Sequence, residues 1–243
     1  MRVAVFRPDD ERLDEAVTLL ESLGVDPVAD PMLAVKPTGN TPRSADFVVL
    51  TSKTGVELTH EADWSPDGAT VCAIGDSTAA ALRERGYDAD VVPDEFSSNG
   101  LVSTLADRVE GESVEVARSD HGSEVLTDGL ADAGADVHET VLYELVRPEG
   151  AGRSAELAAE GELDAALFTS SLTVEHFLAA AEERGIRDEA VAGLEATVVG
   201  VIGDPTRETA REHGLRVDVV PDVASFDRLA RDAVDRLREK AEL

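Results

Sequence analysis

Short runs of apolar residues alternate along the chain with segments in which apolar residues recur every three or four positions. The first run, Val3–Phe6, is followed by a periodic segment from Asp10 to Leu23, which ends at Gly24. Fully apolar runs are typical of strands covered on both faces, and the helical period is typical of helices packed on them, so their alternation predicts an α/β fold with parallel sheets. The predicted strands are Val3–Phe6, Phe47–Leu50, Val71–Ile74, Val114–Ala117, Ala165–Phe168 and Val198–Ile202, and the predicted helices include Leu101–Val109, Val125–Ala133, Val174–Ala181 and Phe226–Leu237.

Two segments rich in proline and glycine interrupt this alternation. They are Lys36–Pro42 and Arg147–Gly152, and their composition is typical of turns and linkers. Cutting the chain at both leaves a central piece of about 100 residues, a common domain size. We therefore predict an inserted α/β domain at 43–142 and a discontinuous α/β domain formed by 1–36 and 147–243. Both are expected to be of the flavodoxin-like type, joined by a two-segment hinge and separated by an interdomain cleft.

An internal repeat indicates that the two predicted domains are related. Ile74–Thr78 (Ile-Gly-Asp-Ser-Thr) matches Ile202–Thr206 (Ile-Gly-Asp-Pro-Thr) at an offset of 128 residues, and that offset holds without a gap through the next Val-Val-Pro-Asp. Further matches are Thr51–Ser52 with Thr169–Ser170 and, more weakly, Val3–Asp9 with Val114–Asp120. A duplication accounts for all of them and predicts that equivalent edges of the two copies face one another.

The repeated turns carry hydroxyl groups where an anion-binding site is expected. In open α/β sheets, ligands bind at the carboxyl ends of strands, where loops lead into helices whose first N–H groups are free to hold a carboxylate or phosphate. N-capping alone is the other interpretation of each of these residues, and Asp76 and Asp204 are also candidate N-caps, since an acid would repel an anionic ligand. The candidate ligand-binding residues are Thr51, Ser52, Thr78, Ser170 and Thr206.

Two single residues extend this set. Arg118 follows the predicted strand Val114–Ala117 and is interpreted either as a partner for a ligand carboxylate or as a surface salt bridge among the many acids. Tyr143 is one of two tyrosines and lies beside the second hinge, where packing between domains is the simplest interpretation.

The charge of the chain restricts its partners. The formal net charge is −29 over 243 residues, which argues against nucleic acid or anionic membranes as partners. It suggests a salt-rich cytoplasm, because molar salt shortens the screening length to about 3 Å. No run approaches the roughly 20 apolar residues of a membrane span, and nothing indicates an exposed apolar face. We therefore expect a cytoplasmic monomer that acts on a small molecule.

The sequence contains no metal or nucleotide motif. Its five histidines lack ligand spacing and Cys72 is its single cysteine, so we expect neither a metal site nor an internal disulfide. It has no G-x-G-x-x-G, P-loop or G-x-S-x-G pattern, and no cofactor is expected. Any chemistry would depend on hydroxyl groups, backbone N–H groups and one phenol.

The order of these segments resembles the uroporphyrinogen-III synthase family, from Val3 to about Leu237. The pieces that carry the resemblance are V-A-V-F-R-P, V-L-T-S-K-T-G-V, A-I-G-D-S-T-A-A-A-L-R-E-R-G, V-A-R-S-D-H-G, V-L-Y-E-L-V, L-F-T-S-S-L-T-V and V-I-G-D-P-T. One departure is that the family often has proline after the glycine of its I-G-x-x-T turns, where this chain has Asp76 and Asp204.

The resemblance implies a function as well as a fold. The implied reaction needs no cofactor: linear hydroxymethylbilane, which carries eight carboxylates, loses water, has its last pyrrole ring inverted and closes into a macrocycle. Its implied substrate contacts are Thr51, Ser52, Thr78, Arg118, Ser170 and Thr206, and its implied catalytic residue is Tyr143. The alternatives are a non-catalytic two-lobed module that binds tetrapyrroles or anions, and a pair of lobes that binds sugars or phosphates.

Overall fold

The computed structural model describes residues 1–241, which form nine strands and ten α-helices. The strands are β1 (Arg2–Phe6), β2 (Asp26–Ala29), β3 (Ala34–Pro37), β4 (Phe47–Leu50), β5 (Thr70–Ala73), β6 (Ser113–Ser119), β7 (Asp136–Val146), β8 (Ala165–Phe168) and β9 (Val198–Val201). The helices are α1 (Glu11–Ser22), α2 (Lys53–Glu61), α3 (Asp76–Glu84), α4 (Ser98–Leu105), α5 (Glu124–Asp132), α6 (Arg153–Ala159), α7 (Ser171–Glu183), α8 (Arg187–Ala196), α9 (Asp204–Glu212) and α10 (Phe226–Ala241).

The chain divides into two compact units. Unit 1 comprises Met1–Ala34 and the chain from Val146 onward, and unit 2 comprises Val35–Leu145. Within residues 1–241, no helix is both long enough and apolar enough to cross a bilayer.

Unit 1 is built on a parallel sheet with the strand order β2-β1-β8-β9. Val219 forms an isolated parallel bridge with Gly200 and so marks a fifth position beside β9. Side chains of a strand alternate between the two faces of its sheet. Along β1, Ala4 and Phe6 therefore join one hydrophobic cluster while Val3 and Val5 join the other. The fully apolar sequence of β1 follows from this burial on both faces.

Unit 2 is built on a sheet with the order β3-β7-β6-β4-β5, in which β7, β6, β4 and β5 run parallel. Val91 bridges to Cys72 and marks a further position beside β5, which corresponds to that of Val219 in unit 1. At the other edge, β3 is tied to β7 because the Thr38 N–H and hydroxyl donate to the carbonyls of Leu142 and Val141, both within 3.0 Å.

The two units share one strand order but begin it at different strands. With the segments at Val219 and Val91 taken as the fifth positions, unit 1 has the order 2-1-3-4-5 when counted from β1. Unit 2 has the same order when it is counted from β6 and its outer strand β3 is left out. This is the order of flavodoxin-like sheets. It equates β1 and β2 with β6 and β7, and β8 and β9 with β4 and β5. All three repeats found in the sequence fall on strands that this correspondence pairs.

One repeated acid explains why the fifth position has the same register in both units. The Asp90 carboxylate accepts a hydrogen bond from the Val71 N–H at 2.8 Å, and the Asp218 carboxylate accepts one from the Val199 N–H at 3.1 Å. Each acid also donates its own N–H to the carbonyl of the same valine, at 2.8 Å in both units. These two aspartates therefore hold the fifth segment on the sheet.

Candidate functional site

The Thr-Ser turn of unit 2 connects β4 to α2. The Thr51 N–H donates to the Ala117 carbonyl at 3.4 Å, which continues the pairing of β4 with β6. Ser52 is the N-cap of α2, and its hydroxyl accepts a hydrogen bond from the Gly55 N–H at 2.9 Å. The capping interpretation of Ser52 is therefore confirmed, but it does not exhaust what this hydroxyl contacts.

Tyr143 reaches the same serine from another strand. It lies on β7, its side chain is buried, and its hydroxyl donates to the Ser52 Oγ at 3.0 Å. With the Gly55 N–H and the Tyr143 O–H both directed at its oxygen, Ser52 keeps its own O–H free to donate. The structure thus brings together two residues that the sequence singled out 91 positions apart. The sequence had no signal for this contact, which depends on the order of the strands.

The Ile-Gly-Asp-Ser-Thr turn of unit 2 leads into α3 in a different way. Gly75 is the N-cap in an extended conformation, and no side chain of the described residues caps the helix. Asp76 is the first helical residue, so its interpretation as the N-cap is wrong. Thr78 is the third helical residue and is buried, with 1% of its surface exposed. The first turn of α3 therefore keeps backbone N–H groups that no side chain satisfies.

Unit 1 repeats this contrast between its two turns. Ser170 caps α7 within a reciprocal capping box, in which Thr173 donates its N–H to Ser170 and accepts the Ser170 N–H, at 3.3 and 3.2 Å. α9 has Gly203 as its N-cap, no side-chain cap in the part of the chain described, and Thr206 buried at its third position. Asp204 is again the first helical residue and not the cap.

Arg118 lies under a loop rather than on the surface. Only 5% of its surface is exposed, and its guanidinium pairs with the Glu139 carboxylate and donates to the Ser123 carbonyl. A Cβ added at Gly122 would lie 2.3 Å from the Arg118 Cδ, so a side chain at that position would displace the arginine. The salt-bridge interpretation of Arg118 is therefore confirmed as to the ion pair, in which the arginine is buried while the Glu139 side chain is 35% exposed.

The buried acid Glu115 was not identified as a candidate from the sequence alone. Glu115 on β6 is 1% exposed, and one of its carboxylate oxygens lies 2.6 Å from the His138 Nδ1 on the adjacent β7. Its other oxygen has no hydrogen-bond partner among the described residues. The available signal was an acid inside an otherwise apolar run, Val114–Ala117.

The thiol of Cys72, the single cysteine in the sequence, is unsuited to nucleophilic chemistry. Burial raises the pKa of Cys72 to about 12, so its thiolate is scarce near neutral pH. Residues 1–241 contain no group of three or more His, Cys, Asp or Glu side chains placed to hold a metal ion.

Two surface cavities are formed by the described residues, and one of them begins at the repeated turn of unit 1. One of about 480 Å³ is lined by residues of α9 between Asp204 and Glu212, and one of about 590 Å³ lies between residues 39–43 and 138–141. Neither is lined by Ser52, Thr78 or Tyr143.

Comparison with known proteins gives a consistent family. The profile of the family described as Uroporphyrinogen-III synthase HemD matches residues 14–231. A protein of Methanothermobacter thermautotrophicus, named as a provisional uroporphyrinogen-III synthase, is 33% identical over 88% of this chain and 90% of its own length. The uroporphyrinogen-III synthase of Chlorobaculum parvum is 24% identical over 97% of this chain and 99% of its own.

Solved structures agree at the level of the fold. A crystal structure of a mutant uroporphyrinogen III synthase from Thermus thermophilus aligns over 99% of both chains with a TM-score of 0.68 and 21% identity. The Helicobacter pylori enzyme aligns over 99% of this chain and 100% of its own, with a TM-score of 0.60 and 17% identity. The extent of the profile match and the 33% identical relative confirm the resemblance seen in the sequence. This chain belongs to the uroporphyrinogen-III synthase family, which serves tetrapyrrole biosynthesis.

Proposed function

We propose that this chain is a cyclising hydro-lyase that converts hydroxymethylbilane into uroporphyrinogen III. The observation that carries this proposal is the hydrogen bond from the buried Tyr143 hydroxyl to Ser52, in the unit whose α3 also begins without a side-chain cap. The Tyr143 hydroxyl can move a proton, and the first turn of α3 can hold an anion. The family's reaction needs both.

Carboxylate binding is assigned to the uncapped helices. The N-terminus of a helix favours anions because its first N–H groups and its dipole both point toward them. We assign substrate carboxylates to the first turns of α3 and α9, with Thr78 and Thr206 at their third positions. Thr51, Ser52 and Ser170 are proposed as further substrate contacts. The proposal includes two domains, at 43–142 and at 1–36 plus 147–243. It also includes an interdomain cleft in which turns of both units hold one substrate molecule.

Arg118 has a narrower role in the proposal than the resemblance implies. Its guanidinium already pairs with Glu139, so a substrate carboxylate would have to share it or displace that acid. We propose that Arg118 acts on the substrate indirectly. It holds the loop at Ser119–Ser123 in place by donating to the Ser123 carbonyl.

Tyr143 is assigned to the loss of water. When the terminal C–O bond breaks, the pyrrole nitrogen supplies the electron pair and the leaving oxygen takes a proton from the Tyr143 hydroxyl. The Ser52 O–H can then rotate to donate to the phenolate. Closure of the ring later releases one proton from the attacked pyrrole carbon, which restores the phenol. Positioning supplies the rest, because holding reacting groups in line replaces the entropy of a random encounter.

The test is a coupled assay that separates the type I and type III isomers. Hydroxymethylbilane generated in place closes spontaneously to type I, so formation of type III above the protein-free background supports the proposal. Type I product alone, from a preparation with a cooperative thermal transition, would reject catalysis. A rise in Tm with added uroporphyrin III in that preparation would then indicate a non-catalytic binding module.

Salt concentration supplies a second test, which addresses the charge. A net charge of −29 repels a substrate with eight carboxylates, and screening shortens the range of that repulsion. We expect both Tm and the affinity for substrate to rise between 0.1 M and 2 M KCl, as they would for a monomer in a salt-rich cytoplasm. A KM that climbs with KCl while the protein stays folded would contradict this explanation.

A further inference from the structure

The loop that follows each repeated Val-Val-Pro-Asp exposes a large apolar side chain. Phe96 in unit 2 is 58% exposed and Val223 in unit 1 is 62% exposed, the highest values among the large hydrophobic residues described. The 128-residue offset places Phe96 beside the position equivalent to Val223. Single exposed hydrophobic residues are common on protein surfaces. Here two exposed hydrophobic residues occur at adjacent positions of a duplicated motif.

The loop that carries Phe96 is held in one conformation. The Ser97 N–H donates to the Glu95 carbonyl at 2.8 Å, and the Ser97 hydroxyl caps α4 by accepting the Gly100 N–H at 3.0 Å. A Cβ added at Gly100 would lie 1.9 Å from the Glu95 carbonyl oxygen, so only glycine allows this close turn. The phenyl ring is therefore presented by a fixed backbone and is not the end of a free segment.

Phe96 lies against the uncapped end of α3. An ideal Cβ on Gly75 would lie 3.1 Å from both the Cβ and the Cγ of Phe96, so the side chain packs on the backbone of the helix N-cap. The equivalent Gly203 in unit 1 has only the Cδ of Pro205 at 4.0 Å. Gly75 is extended and needs no glycine for its dihedral angles. The structural reason for a glycine there is the approach of the phenyl side chain.

We propose that Phe96 is a substrate-positioning residue that contacts the face of one pyrrole ring while a carboxylate of that ring lies on the first turn of α3. This inference rests on the proposed function and deepens it. Each pyrrole of the substrate carries carboxylates on short side chains, so a ring whose carboxylate binds α3 must lie close to Phe96. The acids Asp94 and Glu95 directly precede Phe96 and are exposed, which leaves an uncharged ring face as the part of the substrate suited to this loop.

The experiment measures KM and kcat for type III isomer formation in wild type and in variants of Phe96. We expect Phe96→Ala to raise KM about tenfold, which corresponds to about 1.4 kcal/mol, with kcat within twofold and Tm unchanged because the side chain is exposed. Phe96→Tyr should keep the wild-type KM, and Phe96→Leu should lie between, because leucine is apolar but lacks a flat face. The matched control is Val125→Ala, which removes a side chain that is 45% exposed on α5 and should change neither constant.

The outcomes separate this inference from the function on which it rests. Wild type that forms only the type I isomer overturns the proposed function before any variant is compared. Active wild type with an unchanged KM in Phe96→Ala overturns the role of Phe96 alone. If Phe96→Ala lowers Tm, Phe96→Leu and Phe96→Tyr decide instead: a higher KM for leucine at equal Tm supports a ring contact, and equal KM values reject it.

Discussion

Tyr143 in unit 2 and Leu33 in unit 1 occupy equivalent places in the duplicated fold. Tyr143 pairs with Ser119 beyond a register shift at the end of β6, and Leu33 bridges to Pro8 just beyond β1, in the segment that matches β6. Both side chains are buried. Only one carries a hydroxyl, so the duplication preserved the framework of the sheet but not the group proposed to move a proton.

Ser52 of unit 2 and Ser170 of unit 1 also differ in the contacts of their hydroxyl groups. Ser170 is engaged in a capping box with Thr173, whereas the equivalent of Thr173 in unit 2 is Gly55. An ideal Cβ at Gly55 would lie 3.2 Å from both the Ser52 Oγ and the Leu142 Cδ1. A side chain at position 55 would therefore crowd both the Ser52 hydroxyl and Leu142. Under the proposed function, unit 2 would carry the chemistry and both units would bind carboxylates.

The largest expected effect follows from removing the one phenol that breaks the symmetry. Tyr143→Phe keeps the ring and loses the proton donor, so we expect kcat for type III formation to fall about 100-fold, at the low end for general acid catalysis. Stability should fall by only about 1 kcal/mol, the worth of one hydrogen bond. The matched control is Leu33→Met, which should leave kcat unchanged. Unaltered turnover in Tyr143→Phe would make the tyrosine a packing residue.

The next comparison is between the arginines at the carboxyl ends of β1 and β6. Arg118 pairs with Glu139 beneath a loop, while Arg7 lies over the Phe226 ring with its guanidinium carbon 4.9 Å from the centroid. Arg118→Met removes a buried guanidinium that donates to the Ser123 carbonyl as well as to Glu139, so it should cost about 2 kcal/mol of unfolding free energy. Arg7→Met loses a cation–π contact and should cost about 1 kcal/mol. Urea denaturation in 2 M KCl measures both, and equal losses would contradict the distinction.

The two N-cap glycines provide a smaller test. Gly75→Ala must shift Phe96, whereas Gly203→Ala meets only open space. Both lose a similar amount of helix stability because alanine is a poorer N-cap than glycine. We expect Gly75→Ala to raise KM about threefold relative to Gly203→Ala, by displacing the contact assigned to Phe96. Equal KM values in the two variants would show that the position of the phenyl ring is unimportant.

The smallest effect concerns the acid that precedes β4. Asp46 accepts hydrogen bonds from the hydroxyl and the N–H of Ser113, and these bonds hold its pKa below the usual value. A depressed pKa means that this acid stabilises the fold above its unfolded-state pKa, near 3.9, and that the contribution disappears as pH falls through the lower folded-state value. The Tm gap between wild type and Asp46→Asn should be constant from pH 7 to 5 and close below about pH 4. A difference in Tm that does not change with pH would show that the charge of Asp46 is not its cause.

The position of the strands could be read from the sequence, and the contacts of polar residues could not. All six predicted strands occur, because a run buried on both faces is mostly apolar, with Glu115 in β6 as the exception. The other three strands, β2, β3 and β7, are absent from the six predicted runs, since most of their residues are exposed or half-buried. Asp76 and Asp204 were misjudged as N-caps because the helix begins at the preceding glycine, which depends on backbone dihedral angles that composition does not specify.

The sequence by itself determined the α/β class, the duplication and the family, since each is expressed in periodicity, in a constant offset and in the order of short motifs. Only the tertiary structure decided which hydroxyls meet. Ser52 and Tyr143 are joined because β6 places β4 and β7 on either side of it, and Arg118 is buried because Gly122 lets a loop close over it. The physical reason is that a hydrogen bond or ion pair depends on distances of about 3 Å between residues far apart in the chain, whereas burial imprints its pattern on neighbouring residues.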